Sequence, residues 1–409
     1  MTVLPSSVNA KPYFAANVVK LDGDGRRVSG FGTHAHGTAI VDMTTSIDKG
    51  AVAVELSTGA LLAYGNAHIY PPVANSGTKL KVARLTAAGS ISSTADSAFP
   101  GTQPSGYQVV AGGITSADRS IVLIQDSISA GLIAFDTDGT RLTTGFGGAD
   151  GLALIVSTHG AFSGSALAVA DDIAYIAGKA GSLPAVAACT AQGQPVAGFG
   201  SGGLAVVDRT TSTVQWSIAV SQDRIYLMGA RYQGDNSANP LTDSVFALDR
   251  TSGALVGSFA GDGMLTPVAR ISAGVVLEDG VLIMAGARSD GRAFLQAVTS
   301  AGQPLHGFGI GGVSDLPYLD TADIAAATRQ NGRVILGGAL AGDLLAAGLV
   351  VAVRSGERTV TLDNLPGSTW VQVDTGGIGQ AVGGRTIFSG LPSSTPHAFQ
   401  PGPAPSGPG

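Results

Sequence analysis

Short apolar runs of five or six residues recur along the chain, and most of them end in glycine. Turn-forming residues separate the runs, and none of them continues at the 3.6-residue spacing of an amphipathic helix. The pattern therefore predicts β-strands. Seven such runs are present: Leu61–Gly65, Ile121–Gln125, Ile173–Gly178, Ile225–Gly229, Val281–Gly286, Val334–Gly338 and Thr386–Gly390.

A second kind of strand, which leads into a turn glycine, also occurs seven times. Two further short strands lie between the two kinds of strand. The whole pattern repeats every ~50 residues, which is typical of a β-propeller. The sequence predicts an all-β fold, a seven-bladed β-propeller of four-stranded antiparallel blades. One miscounted unit would change this number to six or eight. The strands of the second kind, each with its turn glycine, are Val18–Gly25, Val82–Gly89, Ile133–Gly139, Val186–Gly193, Val245–Gly253, Leu295–Gly302 and Val350–Gly356.

The two ends of the chain are out of phase with each other. The chain begins with the second kind of strand, at Val18–Leu21, and ends with the first kind, at Thr386–Gly390. We therefore expect the N-terminal strand to complete the last blade as its outermost strand and to close the ring. The predicted domains are an N-terminal extension at 1–16, the propeller at 17–390 and an extended Pro/Gly-rich tail outside it at 391–409.

The composition favours a globular body and argues against several partners. Of the 409 residues, 44% are hydrophobic and 13% are charged, so a large core can form. The net charge of −6 and the lack of a Lys/Arg cluster argue against nucleic-acid binding. No apolar run approaches the ~20 residues of a membrane helix, and no signal peptide is seen, so membrane insertion is not expected. A single cysteine, Cys189, excludes an intramolecular disulfide.

Phe-Gly dipeptides recur after the second kind of strand. We expect these segments to join the outer strand of one blade to the inner strand of the next. There the rings would act as wedges between blades, and the glycines would allow the backbones to approach closely. The residues assigned to these structural junctions are Phe31, Gly32, Phe146, Gly147, Phe199, Gly200, Phe259, Phe308 and Gly309.

One repeat unit carries a family resemblance. The segments Asp136–Gly139 and Thr144–Gly147, with the strand Asp223–Gly229, resemble the bacterial delta-60 repeat. The resemblance extends over residues 17–390, although the Val82–Tyr107 unit lacks Phe-Gly. It implies a β-propeller in a bacterial, often surface-associated protein, and it supplies no catalytic residues.

One loop departs from the repeat in a way that suggests metal chemistry. Where other units carry glycine and aspartate, this loop reads Thr33-His34-Ala35-His36-Gly37. Two histidines on alternate residues of an extended segment can bind the same divalent metal. Asp150 and Asp262 occupy corresponding positions in other blades and are candidate further ligands. A polar solvated loop without a metal is the alternative that we favour, and no catalytic or cofactor-binding residue is assigned.

These observations favour a protein that is not an enzyme. We expect a recognition or scaffold protein whose partners are other proteins of a larger assembly, or a cell-surface receptor or glycan. A bacteriophage virion component, such as a tail tip, fibre or decoration protein, fits a β-body without disulfides, and the expected location is a virion or the extracellular surface. The alternatives are a metal-dependent lactonase or glycan hydrolase with its site at the channel mouth, and a bacterial surface adhesin or sensor.

Overall fold

The structure is a computed structural model, and every regular element that it describes is a β-strand. The all-β prediction is therefore confirmed. No helix long and apolar enough to cross a membrane was found in the described ranges. These ranges are residues 2–6, 13–20, 28–33, 38–42, 52–67, 79–99, 107–148, 150–208, 212–232, 241–306, 308–320, 322–330, 333–340, 348–354, 358–363, 370–373, 378–380, 385–391 and 399–401.

The chain divides into two compact units. The first comprises Met1–Lys20, Arg27–Thr242 and Phe246–Val256, and the second comprises Leu21–Arg26, Asp243–Val245 and Gly257–Gly409. The first eighteen strands in chain order are β1 (Thr2–Ser6), β2 (Tyr13–Val19), β3 (Thr38–Asp42), β4 (Val52–Glu55), β5 (Leu61–Ala67), β6 (Lys79–Leu85), β7 (Ile91–Ala98), β8 (Gln108–Ile114), β9 (Ser120–Gln125), β10 (Ala130–Phe135), β11 (Ala153–Leu154), β12 (Phe162–Ala170), β13 (Ile173–Ala180), β14 (Leu183–Thr190), β15 (Leu204–Val206), β16 (Ser212–Val220), β17 (Arg224–Tyr232) and β18 (Leu241–Asp249).

The first unit repeats one simple sheet. Three of its sheets have the strand orders β4-β5-β6-β7, β8-β9-β10-β11 and β12-β13-β14-β15, and all neighbours are antiparallel. Each strand pairs with the strand that precedes it in the chain, so tight turns are sufficient to connect them. The predicted unit of four short antiparallel strands is thereby confirmed.

The second unit contains the remaining strands. One of its sheets again has four strands, β20-β21-β22-β23, whereas the next has five, β24-β25-β26-β27-β30, and the last has three, β29-β28-β31. The strands are β19 (Met264–Leu265), β20 (Arg270–Val276), β21 (Leu282–Ala287), β22 (Arg292–Val298), β23 (Val313–Asp320), β24 (Ala322–Gln330), β25 (Arg333–Leu340), β26 (Gly348–Arg354), β27 (Arg358–Asp363), β28 (Trp370–Val373), β29 (Ile378–Gln380), β30 (Arg385–Leu391) and β31 (Phe399–Pro401).

The structure does not confirm closure of the ring by the N-terminal strand. Strand β2 pairs on one side with β1 and on the other with β3, and β30 pairs with β27. A local hairpin such as β1–β2 closes a short loop, which costs less chain entropy than joining the two ends of the chain. The extension at 1–16 therefore contributes a strand, and the tail contributes β31, which pairs with β28. The number of blades stays a prediction.

The glycine that ends two of the apolar runs, Gly178 in one and Gly286 in the other, has a steric cause. Strand β12 carries a β-bulge between Gly164 and Ala166, and the carbonyl oxygen of Ser163 lies directly over Gly178. A Cβ atom on Gly178 would lie 2.0 Å from that oxygen, a distance that real Cβ atoms do not show. Because the bulge bends the first strand of a sheet towards the second, only glycine leaves enough room there.

The core of the first unit lies between consecutive sheets. Ile121 and Leu132 of one sheet share a cluster with Ile176 and Ala187 of the next, and all four side chains are buried. Many core positions are alanine, so neighbouring sheets can pack closely. Burial of this apolar surface is the main term that stabilises the arrangement.

Hydrogen bonds also link the turns between the first and second strands of neighbouring sheets. The Asp118 carboxylate accepts the backbone N–H of Ser57 at 2.9 Å, and the Asp172 carboxylate accepts the backbone N–H of Ser116 at 2.7 Å. The hydroxyl of Ser116 donates to the same carboxylate at 2.6 Å. These bonds from Ser116 hold the pKa of Asp172 below its ordinary value.

Candidate functional site

The Phe-Gly segments lie elsewhere than the sequence suggested. Phe146 lies between β10 and β11 of one sheet, and Phe199 lies between β14 and β15 of the next. The expectation that they join an outer strand to the inner strand of the next blade is therefore corrected. The reason is that the apolar run after the Phe-Gly pair, Leu152–Val156, contains the short fourth strand β11 of the same sheet and not the first strand of the next.

Each buried Phe-Gly pair in the first unit packs on a turn of the following sheet. Phe199 is fully buried, and the backbone N–H of Gly200 donates to the carbonyl of Ser252 at 2.8 Å. Gly253 of that turn is so close that an added Cβ would lie 3.2 Å from Phe199 Cζ. The pairs Phe146 with Gly193 and Phe31 with Gly89 have the same arrangement.

The second unit contains the same contact between Phe259 and Gly302. Phe259 is fully buried, and the backbone N–H of Ala260 donates to the carbonyl of Ala301 at 2.8 Å. Phe308, next to Gly309, is only half-buried at the edge of a core cluster. These residues bury apolar surface and exclude water, so their observed contacts are those of packing.

We expect Gly253→Ala to destabilise the protein by roughly 1 kcal/mol or more, because Gly253 has a φ of +71° and a Cβ there would lie 2.6 Å from Ala205 Cβ. Gly257→Ala is the matched control, because no atom lies within 4 Å of its added Cβ. Urea denaturation followed by circular dichroism measures both variants. Equal stability of the two would contradict the packing role.

The described part of the structure does not test the predicted metal ligands as a set. His34 and His36 lie outside the described residues. Asp150 belongs to the first unit and is exposed, and Asp262 belongs to the second and accepts the backbone N–H of Met264 at 3.1 Å. No group of three or more His, Cys, Asp or Glu side chains suited to a metal occurs among the residues that the structure describes. The metal site stays a prediction.

Polar side chains form hydrogen bonds with the backbone of the first strand of a sheet, near the start of that strand. We call this place the leading end of the sheet. In the first unit, Asn66 Oδ1 accepts the N–H of Val109, the second residue of β8, at 3.1 Å. Ser165 Oγ accepts the N–H of Trp216 in β16 at 2.9 Å and donates to the carbonyl of Trp216 at 2.6 Å. Val109 directly precedes a bulge in β8, and Trp216 directly follows an irregularity in β16, so each bond fixes the backbone beside a break in the strand register.

In the second unit a carboxyl group makes this bond. Asp243 Oδ2 accepts the N–H of Ile271, the second residue of β20 and the last before a bulge. The Asp243 side chain is buried, with 9% of its surface exposed. Burial raises the pKa of Asp243 above its ordinary value, against the opposing effects of the Ile271 hydrogen bond and the Arg270 charge. Asp243 thus keeps its proton to a higher pH than an exposed aspartate does.

The sequence analysis missed Asp243, although the sequence carries a signal for it. In β18 the residues Asp243, Val245 and Ala247 alternate along one face, and all three are buried. A carboxyl group at a buried register position is costly unless it is hydrogen-bonded or protonated, and it is therefore a candidate for chemistry.

No protein-family model and no curated protein sequence matches the chain. Among solved structures, it is similar to the α-L-arabinofuranosidase Arb93A of Fusarium graminearum, with 11% identity over 74% of this chain and 92% of that one and a TM-score of 0.46. It is also similar to the PQQ-bound aldose sugar dehydrogenase of Streptomyces coelicolor (13% identity, 71% and 93% coverage, TM-score 0.40). A third similar structure is the Dos1 propeller (14% identity, 72% and 63% coverage, TM-score 0.40).

These findings correct one expectation from the sequence, namely that the chain is not an enzyme. Two of the three structures are named as enzymes, and a fold by itself does not determine a function. The similarity concerns the fold alone and transfers no substrate to this chain. The delta-60 resemblance stays a prediction.

We expect the stability difference between the wild type and Asp243→Asn to depend on pH. The raised pKa of Asp243 means that the folded state binds this proton more tightly than the unfolded state, where aspartate titrates at about 3.9. The stabilising effect of this proton is complete below the unfolded pKa and is lost as the pH rises through the folded one. The amide of the variant does not titrate, so calorimetry should show the variant gaining stability relative to the wild type as the pH rises. A difference independent of pH would contradict the raised pKa.

Proposed function

We propose that this protein is a glycan hydrolase in which Asp243 is the proton donor. The observation that supports the proposal is the buried carboxyl group of Asp243 at the leading end of the β20 sheet. Hydrolysis of a glycosidic bond requires a carboxylic acid that still carries its proton near the working pH. Burial supplies that property by disfavouring the charged form of Asp243.

The hydrogen bonds of Asp243 also fit this role. Its Oδ2 atom is fixed by the N–H of Ile271, so the carboxyl group has a defined orientation. In the reaction the carboxyl proton passes to the glycosidic oxygen as the C–O bond breaks, water supplies a hydroxyl group to the sugar carbon, and the proton that this water releases restores the protonated carboxyl group of Asp243. A fixed donor avoids reorganisation as the proton moves.

A comparison with Asn66 separates this role from a structural one. Asn66 holds the N–H of Val109 through an amide oxygen, and Val109, like Ile271, is the second residue of its strand and stands before a bulge. An amide oxygen is therefore sufficient to accept the backbone N–H of a residue that precedes a bulge. Burying a carboxyl group costs more desolvation free energy than burying an amide that accepts the same bond. This extra cost favours a functional role for the carboxyl group of Asp243.

The test is release of reducing sugar from a glycan panel that contains arabinan, galactan, dextran, polygalacturonate and dextran sulfate. We expect the wild type to hydrolyse at least one of them, with activity that falls as the pH rises through the raised pKa of Asp243. Asp243→Asn keeps an oxygen for the Ile271 bond but has no proton to give. Full activity in this variant, or no hydrolysis of any glycan by the wild type, would overturn the proposal.

The closed seven-bladed propeller remains part of this proposal. A crystal structure of the full chain would test it by the number of four-stranded sheets and by whether the N-terminal strand pairs with the last sheet. The virion, adhesin and sensor interpretations stay predictions.

A further inference from the structure

Arg270 lies where β20 binds the carboxyl group of Asp243. It is the first residue of β20, and Ile271, whose N–H binds Asp243, is the second. Its carbonyl oxygen lies over Gly286, where an added Cβ would be 1.8 Å away, so the bulge fixes the backbone of Arg270. The side chain is exposed, and its positive charge acts on the Asp243 carboxyl group.

Two other arginines lie at the same end of this sheet, but each has a carboxylate of its own. Arg288 Nε is 2.6 Å from Asp315 Oδ1, and its guanidinium lies over the ring of Phe294 at 5.6 Å. Arg292 Nε lies 3.7 Å from Asp290. Among the described residues, no carboxylate forms an ion pair with Arg270. Its guanidinium is therefore available to a ligand.

We propose that Arg270 binds an anionic substituent of the substrate, a carboxylate or sulfate on the sugar, so that the enzyme acts on acidic glycans. This inference rests on the proposed function of Asp243, because it takes that carboxyl group to mark the position of the scissile bond. The residue that binds the Asp243 carboxyl group, Ile271, follows Arg270 by one strand step of ~3.3 Å, so one sugar unit can contact the side chains of Arg270 and Asp243. A planar guanidinium matches a carboxylate or sulfate through two parallel N–H···O bonds.

The test compares Arg270→Gln with Arg292→Gln, whose arginine lies at the same end but is paired with Asp290. The substrates are two pairs, polygalacturonate against galactan and dextran sulfate against dextran, which separate carboxylate from sulfate recognition. For an acidic glycan we expect Arg270→Gln to raise KM about tenfold or more, the loss of a charged hydrogen bond. KM for the neutral glycan and every parameter of Arg292→Gln should stay near the wild type.

Direct binding separates failure of this inference from failure of the proposed function. Isothermal titration calorimetry measures the affinity of oligogalacturonate and of a sulfated dextran oligosaccharide for Asp243→Asn, with and without Arg270→Gln, so turnover does not interfere. Binding that is lost with Arg270 supports recognition of the anionic substituent by Arg270 even if no hydrolysis occurs, in which case the hydrolase proposal alone fails. Hydrolysis of neutral glycans alone, or equal affinity with and without Arg270, would overturn the inference and leave the hydrolase proposal intact.

Discussion

The Asp243→Asn variant is expected to hydrolyse the glycan at least ~100-fold more slowly than the wild type, because general acid catalysis contributes at least that much. The substitution removes one proton and leaves the shape of the side chain almost unchanged. The amide oxygen of the variant can still accept the N–H of Ile271, so the fold at the start of β20 should persist. The measurement is kcat/KM for the best glycan of the panel, with circular dichroism to verify folding.

The matched control is Asn66→Asp, which exchanges the same two side chains in the opposite direction. Asn66 makes the corresponding bond to Val109 in the first unit, with a distance of 3.1 Å. We expect this variant to retain wild-type activity, because its new carboxylate is not in the proposed site. A large loss of activity in Asn66→Asp, or a small one in Asp243→Asn, would show that bulge stability and not proton donation controls activity.

Phe199→Ala is expected to lower the free energy of unfolding by about 3–5 kcal/mol, as large-to-small changes at fully buried aromatic residues do. The Phe199 ring has no exposed surface and contacts Tyr175 edge-on with ring centroids 6.0 Å apart. The ring also fills the space beside Gly253, because glycine has no side chain that could occupy it. Removing the ring leaves a cavity between two sheets, and urea denaturation measures its cost.

Phe308→Ala is the matched control for this prediction. Phe308 has the same place in its repeat as Phe199, before a glycine and between the third and fourth strands of its sheet, but it is only half-buried. We therefore expect a clearly smaller loss of stability. If both variants lost the same amount, burial between sheets would not explain the recurrence of Phe-Gly.

The strands could be predicted because their signal is local. All seven apolar runs coincide with observed strands, from Leu61–Gly65 in β5 to Thr386–Gly390 in β30. Each strand is short, buried and bounded by turn residues, so hydrophobicity and turn chemistry both indicate it. The short fourth strands β11 and β15 also lie in apolar runs, but the sequence does not say to which sheet such a run belongs. This explains why the Phe-Gly pairs were placed after the fourth strand instead of before it.

The ends of the chain were predicted less well. Phase alone suggested that Val18–Leu21 pairs with the last blade, whereas β2 pairs with β1 and β3. Strand β1 includes Pro5, which the sequence pattern does not mark as a strand residue. Whether a strand pairs in a local hairpin or with a distant strand depends on the free energies of the two pairings. The periodicity of the sequence gives no information about either free energy.

The sequence by itself determined the class of the fold, the repeat of four antiparallel strands and the positions of the glycines. These properties follow from side-chain period, turn propensity and steric size, which act over a few residues. Only the tertiary structure decided why Gly178 and Gly286 must be glycine and which polar groups matter. The bulge in β12 brings the carbonyl of Ser163 over Gly178, and the bulge in β20 brings the carbonyl of Arg270 over Gly286. The bulge in β20 also fixes Arg270 next to the residue that binds Asp243. Burial and a hydrogen bond to another strand give Asp243 its raised pKa, and both depend on residues distant in the chain.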